Sequence, residues 1–128
     1  MKKLLTIGFV SLGLISTSVF SGTSTWIYET SRHNIKINCL IKGDNTLYSN
    51  NCTYQSWNKP KRINQGRPDF QIRKGEFGLG PQGNRVFEFK TGNVKIEMFD
   101  ELRGNHDYLD VYINEQKKSR YRLYEIDY

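Results

Sequence analysis

The stretch NIKINCLIK, residues 34–42, has an apolar side chain at every second position from residue 35 to residue 41. These side chains are Ile35, Ile37, Cys39 and Ile41. A period of two places these side chains on one face of an extended chain and leaves Lys36, Asn38 and Lys42 on the other. The stretch therefore predicts a β-strand with one buried face and one face in water.

The same alternation recurs along the chain. NVKIEMF at residues 93–99 and DYLDVYIN at residues 107–114 repeat it, and turn-forming clusters such as residues 43–45 and 103–105 separate the alternating runs. The pattern predicts strands at 25–32, 34–42, 46–56, 69–77, 85–90, 93–100, 107–113 and 119–126. Seven or eight short antiparallel strands predict an all-β domain, either a small β-sandwich or a barrel.

The N-terminal 21 residues have the order of a secretory signal peptide. Two lysines precede an apolar run at residues 4–15, and small polar residues follow it. The run is too short to cross a bilayer comfortably. We predict cleavage after Ser21, or alternatively after Ser18, and export to the periplasm or to the outside of the cell. Residues 22–128 are then predicted to form a single β-domain.

The chain has two cysteines, Cys39 and Cys52. An exported chain meets an oxidising compartment, so this pair predicts one disulfide. The bond would close a loop of about fourteen residues and stabilise the fold by about 3 kcal/mol. His33 and His106 are far apart in the sequence, so no Cys/His set with zinc spacing exists, and we expect neither a metal nor a cofactor.

GLGPQG at residues 78–83 matches the G-x-G-x-x-G pattern of dinucleotide-binding folds. That pattern requires a helix after its glycines, whereas strand patterns lie on both sides of this one. Pro81 also has no amide to donate to a phosphate. We therefore expect no nucleotide cofactor, and we predict that Gly78, Gly80 and Gly83 are hairpin or bulge glycines with positive φ.

DELRGNHDYLD at residues 100–110 is the richest polar stretch. Its carboxylates would suit calcium, although the spacing is not that of an EF-hand. A Glu base at position 97 or 101, with His106 as the acid and Arg103 nearby, would instead resemble the arrangement in small secreted ribonucleases. The interpretation that we favour is a polar hairpin loop with solvated carboxylates, so we assign no catalytic residue.

Basic residues form two clusters with aromatic neighbours. The first follows Trp57 in the loop at residues 58–68, and the second is KKSRYR at residues 117–122. The candidate binding residues are Trp57, Lys59, Lys61, Arg62, Arg67, Lys117, Lys118, Arg120 and Arg122. Cations beside aromatic rings suit an anionic polymer. Without the leader, seventeen basic and thirteen acidic residues leave a net charge of +4, which favours anionic partners only weakly.

From Tyr54 to Phe99, the run YQSWNKP…GRPDFQI…FEFKTGNVKIEMF resembles small exported bacterial β-rich proteins of unassigned function. A signal peptide, a Trp-Asn-Lys-Pro loop and a Gly-Asn hairpin carry the resemblance. The resemblance implies an exported bacterial β-domain and assigns no functional residue.

These features favour a non-enzymatic exported binding protein that neutralises or caps a protein partner, as an inhibitor or immunity protein does. Tyr, Trp and Arg on a rigid, disulfide-linked sheet are typical of protein interfaces. A binder of anionic envelope polymers, acting through the basic clusters, is the alternative. A small ribonuclease-like hydrolase that uses His106 is the second alternative.

Overall fold

A computed structural model describes residues 20–42, 47–101 and 107–126. The regular elements in these residues are all strands: β1 (Phe20–Glu29), β2 (His33–Lys42), β3 (Tyr48–Asn58), β4 (Phe70–Leu79), β5 (Arg85–Thr91), β6 (Val94–Asp100), β7 (Tyr108–Ile113), β8 (Gln116–Arg122) and β9 (Tyr124–Glu125). Among the described residues, no helix is long and apolar enough to cross a membrane. The predicted leader, apart from its last two residues, and the turns predicted at 43–45 and 103–105 lie outside them.

Each strand from β1 to β7 pairs antiparallel with the next strand along the chain. β9 then pairs with β1, where Tyr124 lies opposite Glu29 and Glu125 lies opposite Tyr28. The amide of Ile126 extends this contact by donating to the carbonyl of Ile27 at 2.9 Å. The nine strands therefore form a nearly closed, barrel-like sheet.

The inward face of the sheet forms one apolar core. In β2, every second residue from Ile35 to Ile41 is buried, as the alternation requires. Aromatic rings meet across the interior, since the ring centroid of Trp26 lies 4.9 Å from that of Phe77 and 5.4 Å from that of Phe87. Burial of such large rings is a major source of folding free energy. The buried members of the core are Tyr28, Ile35, Ile37, Cys39, Ile41, Cys52, Tyr54, Ile72, Phe77, Phe87, Phe89, Ile96, Met98, Leu109 and Leu123.

The predicted all-β, antiparallel class is confirmed, with a slightly higher strand count than predicted. The strand predicted at 119–126 is in fact two strands, β8 and β9, which are separated at Leu123. The side chain of Leu123 belongs to the core and is 2% exposed. Its amide donates to the carbonyl of Asp107 at 3.2 Å. This break lets the end of the chain leave β7 and pair with β1, which nearly closes the sheet.

Cys39 and Cys52 form the predicted disulfide. The two residues lie directly opposite each other on β2 and β3, with their Cα atoms 4.0 Å apart. Both are fully buried. The disulfide therefore links neighbouring strands inside the core and fixes their register.

The glycines of GLGPQG belong to the hairpin between β4 and β5, as predicted. The amide of Gly80 donates to the carbonyl of Asn84 at 2.8 Å, and the amide of Gly83 donates to that of Gly80 at 3.0 Å. Of the three glycines only Gly83 has a positive φ, at 83°, so the expectation for Gly78 and Gly80 is wrong. A Cβ at Gly80 would lie 2.5 Å from the side chain of Asn84, so a substitution there would displace that side chain.

Candidate functional site

Trp57, the aromatic residue of the first basic cluster, is buried outside the core. It lies opposite Asn34 on the outward face of the sheet and is only 1% exposed, because the loop at residues 59–69 covers it. Its indole Nε1 donates to the carbonyl of Gly66 at 3.1 Å. The side-chain amide of Asn34 donates to the carbonyl of Lys61 at 2.9 Å and fastens the same loop. Trp57 therefore anchors the loop and does not present its ring at the surface.

The two lysines of this loop are paired with carboxylates. Nζ of Lys59 lies 2.7 Å from Oε1 of Glu29, and Nζ of Lys61 lies 2.6 Å from Oδ1 of Asp69. Hydrogen bonds from Lys61 and from the amide of Asn58 hold the pKa of Asp69 below its usual value. The positive charge of the loop is therefore partly neutralised within the fold.

Lys117 and Arg120 of the second basic cluster surround Asp110 on the outward face. Arg120 donates two hydrogen bonds to the carboxylate, at 2.8 and 3.0 Å, and Nζ of Lys117 lies 3.3 Å away. The guanidinium also lies over the ring of Tyr108, 4.0 Å from its centroid. Burial disfavours the charged form of Asp110, but the hydrogen bonds from Arg120 and Lys117 outweigh this effect and hold its pKa below the usual value.

Four other predicted binding residues, Arg62, Arg67, Lys118 and Arg122, have exposed side chains. None of the four forms an ion pair with another described residue. The guanidinium of Arg122 lies 6.0 Å from the ring centroid of Tyr124. Among the nine predicted binding residues, these four carry the positive charge that is accessible to a partner.

The polar stretch at residues 100–110 does not gather its carboxylates into one site. Asp100 is 1% exposed and accepts a hydrogen bond from the hydroxyl of Tyr28 at 2.8 Å inside the sheet. Asp110 lies on the opposite face. Within the described ranges, no group of three or more His, Cys, Asp or Glu side chains is arranged to hold a metal ion.

Two further residues of this stretch, Glu101 and Asp107, contact each other. Oδ1 of Asp107 accepts a hydrogen bond from the amide of Glu101 at 2.7 Å. Burial is the main reason that the pKa of Asp107 is raised. Arg103 and His106, on which the ribonuclease-like interpretation depends, lie outside the described residues.

Arg85 connects the interior to the closure between β9 and β1. Its Nη1 donates to Asp100 at 3.0 Å, to Glu125 at 2.9 Å and to the hydroxyl of Tyr28 at 3.3 Å. Burial, and next the charge of Asp100, raise the pKa of Tyr28 far above its ordinary value, so its hydroxyl stays a donor. The cluster joins β5 and β6 to β1 and β9, and this arrangement fits a structural role.

The strand register aligns four carboxylates across the outward face. Glu76 lies opposite Glu88, Glu88 opposite Glu97, and Glu97 opposite Asp110. We term these four residues the carboxylate row. Nζ of Lys95 lies 3.3 Å from Glu97 and 3.8 Å from Glu88. Like charges directly opposite each other are destabilising, and Lys95 offsets part of that repulsion.

An apolar patch borders the carboxylate row. It contains four of the five exposed large apolar side chains in the described residues, Leu47 at 60%, Tyr48 at 44%, Leu79 at 37% and Val86 at 39%. Gly78 lies between Tyr48 and Val86 in the register. A Cβ at Gly78 would meet nothing within 4 Å, so the space above this glycine is open and its backbone forms the floor of the surface between Tyr48 and Val86. We term these five residues the apolar patch.

Sequence reasoning missed this surface because its members come from different strands and look isolated along the chain. One signal was present in RVFEFK, where Phe87 and Phe89 fill the core and alternation therefore turns Val86 outward. A shallow groove joins the patch to the row. Its lining includes Tyr48, Glu76, Gly78, Leu79, Val86 and Glu88.

An apolar floor with an acidic border suits a protruding apolar side chain that has cations beside it. The groove is open to solvent along the sheet, as protein-binding surfaces commonly are. The chemistry of the groove is the basis for assigning it a role, since no family model, curated protein or solved structure matches this chain.

Proposed function

We propose that this chain is a non-enzymatic exported binding protein that neutralises or caps a protein partner through the apolar patch. The observation that carries the proposal is that the exposed side chains of Tyr48, Leu79 and Val86 line one groove. Contiguous exposed apolar surface marks interaction sites, because covering it removes apolar area from water. The disulfide supports the export part of the proposal, since such bonds persist in oxidising compartments.

The partner presents an apolar side chain flanked by Lys or Arg. Glu76 and Glu88 border the groove, and the side chain of Glu88 is 48% exposed. The chain without its leader is basic overall, with a net charge of +4, so this local acidic border distinguishes the groove from the rest of the surface. Complementary charges at the border would steer the partner and fix its orientation.

Binding of anionic envelope polymers through the basic clusters has less support. Lys59, Lys61 and Arg120 are each 2.6–2.8 Å from a carboxylate oxygen of the chain itself. A polymer would have to compete with these pairs. Of the nine predicted binding residues, only Arg62, Arg67, Lys118 and Arg122 are exposed cations without an ion pair to another described residue.

The test is a pull-down from envelope and secreted fractions with the oxidised chain 22–128 as bait, washed at low and then high salt. Two variants on β5 are compared with the unmodified chain. Val86→Arg places a cation in the apolar patch, and Thr91→Arg places the same side chain at the other end of the strand, where Thr91 is also exposed. Neither side chain belongs to the core.

We expect one protein to be retained through high salt by the unmodified chain and by Thr91→Arg, and to be lost with Val86→Arg. Loss of a central contact weakens binding by about thirtyfold or more. Equal capture by both variants would contradict the patch. Release of all material by salt would favour the anionic polymer, and RNA hydrolysis that His106→Ala abolishes would favour the hydrolase.

A further inference from the structure

A second cavity lies where the turn between β1 and β2 meets the end of β3 and the side of β8. Its lining residues are Ser31, Arg32, His33, Asn58, Lys59 and Tyr121. None of the six is acidic, and each has at least one side-chain hydrogen-bond donor. Two of them, Arg32 and Lys59, have basic side chains. The composition suits an anion.

Backbone hydrogen bonds hold this cavity in shape. The amide of Thr30 donates to the carbonyl of His33 at 2.9 Å, and the amide of Lys59 donates to that of Arg32 at 2.9 Å. The ring of His33 meets the ring of Tyr121 edge to face, with centroids 5.1 Å apart. The three parts of the chain that line the cavity are therefore joined directly, and binding would require little reorganisation.

The contacts of Thr30 determine which nitrogen of His33 carries the proton. Its Oγ1 accepts hydrogen bonds from the amides of Arg32 and His33, at 3.1 and 3.0 Å. The same oxygen lies 2.9 Å from Nδ1 of His33, so the hydroxyl proton is donated to that nitrogen. Neutral His33 then carries its proton on Nε2, which makes this nitrogen a donor.

The cavity has a positive potential. Burial lowers the pKa of His33, and the charges of Arg32 and Lys59 lower it further. Lys59 also pairs with Glu29, a residue that is not in the lining. Arg32 forms no ion pair with any other residue that the structure describes, so its guanidinium can engage a ligand with two parallel hydrogen bonds.

We propose that this cavity is a binding site for a small oxyanion group, a phosphate or a carboxylate. Arg32 supplies the fork-shaped charged donor, Lys59 adds a second charge, and His33 and Tyr121 add neutral donors. The site is separate from the apolar patch and does not depend on the partner proposed for that patch.

The test follows the imidazole resonances of the oxidised chain 22–128 by NMR at pH 7.5 and constant ionic strength. Sodium phosphate and sodium acetate are titrated in turn, with sodium chloride as the reference salt. The chain has two histidines, and His33→Gln assigns their signals. Arg32→Ala removes the charged donor. Arg73→Ala is the matched control, since Arg73 is exposed on β4 and does not line the cavity.

We expect a saturable shift of the His33 signal with phosphate or acetate but not with chloride. Arg32→Ala should weaken that binding about tenfold or more, because a charge-assisted hydrogen bond is lost, and Arg73→Ala should leave it unchanged. The anion that binds more tightly identifies the preferred group. The proposal is overturned if the His33 signal shows no saturable shift up to roughly 10 mM anion, which is ten times the Kd of a weak ~1 mM site. It is also overturned if Arg32→Ala and Arg73→Ala bind the anion with equal affinity.

Discussion

Arg85→Met should be among the most destabilising single substitutions outside the apolar core. Nη1 of Arg85 lies 3.0 Å from the carboxylate of Asp100, whose side chain is 2% exposed. Methionine keeps much of the apolar stem of arginine and removes the charge. The substitution breaks the ion pair between Arg85 and the buried carboxylate of Asp100, and the loss of this pair is the main source of the expected decrease.

The size of the loss follows from the contacts that disappear. Removing one partner of a buried ion pair costs about 3–5 kcal/mol, and we take the lower end because Arg85 is itself 22% exposed. The guanidinium also lies 5.8 Å from the ring centroid of Trp26, a contact that adds about 0.5–1 kcal/mol. The partly exposed pair with Glu125 adds less than about 1 kcal/mol. We expect a decrease of about 4 kcal/mol in the free energy of unfolding and of about 15 °C in Tm.

Urea denaturation of the oxidised chain at pH 7 measures this decrease. Asp100→Asn in the Arg85→Met background separates the buried charge from the lost contacts, because Asn can still accept the hydrogen bond from Tyr28. We expect this double variant to regain about 2 kcal/mol. Lys95→Met, which removes the solvent-accessible ion pairs with Glu88 and Glu97, should lower the free energy of unfolding far less than Arg85→Met does. A double variant as unstable as Arg85→Met would refute the buried-charge reasoning.

Three further outcomes are expected. Replacing both Cys39 and Cys52 with Ala should lower the free energy of unfolding, measured by urea denaturation, by about 3 kcal/mol. This prediction is contradicted if a reductant leaves the urea denaturation curve of the unmodified chain unchanged. The folded-state pKa of Asp110 lies below its unfolded value, so its stabilisation is present above about pH 4 and is lost as the pH falls through the folded value. The difference in free energy of unfolding between the unmodified chain and Asp110→Asn should therefore become smaller in acid. A difference that does not change with pH would exclude a stabilising role for ionised Asp110. Trp57→Ala should lower the free energy of unfolding by about 3 kcal/mol and speed tryptic cleavage after Lys61. Trp57→Phe should keep the loop protected from trypsin. Equal cleavage rates in the two variants would show that Trp57 does not anchor the loop.

The fold class and the disulfide could be predicted because both depend on local pattern. NIKINCLIK predicts a strand at 34–42, and β2 spans His33–Lys42. Cys39 falls on the apolar face of that run and Cys52 on the inward face of β3, so the disulfide joins two core positions. The break at Leu123 could not be predicted, because it depends on a pairing with β1 across nearly the whole chain.

The positions of the functional candidates could be predicted only in part. In β3, Tyr54 and Ser56 face inward, so alternation turns Trp57 outward. Alternation does not show that the loop covers Trp57, because the covering contact is with Gly66, beyond the strand. Asp100 and Asp110 are close in the sequence but lie on opposite faces of the sheet, and only the register of β6 and β7 determines this.

The carboxylate row is not neutralised evenly. At β7, Asp110 is paired with Arg120 and Lys117. At β6 and β5, Glu97 and Glu88 share the single ammonium of Lys95. At β4, the contact that the structure gives the carboxylate of Glu76 is a hydrogen bond from the hydroxyl of Tyr48 at 3.5 Å, and no described cation pairs with it. The ion pairs made by these carboxylates therefore decrease in number from β7 towards β4, and Glu76, which borders the groove beside the apolar patch, is available to a cation that a partner brings next to an apolar side chain.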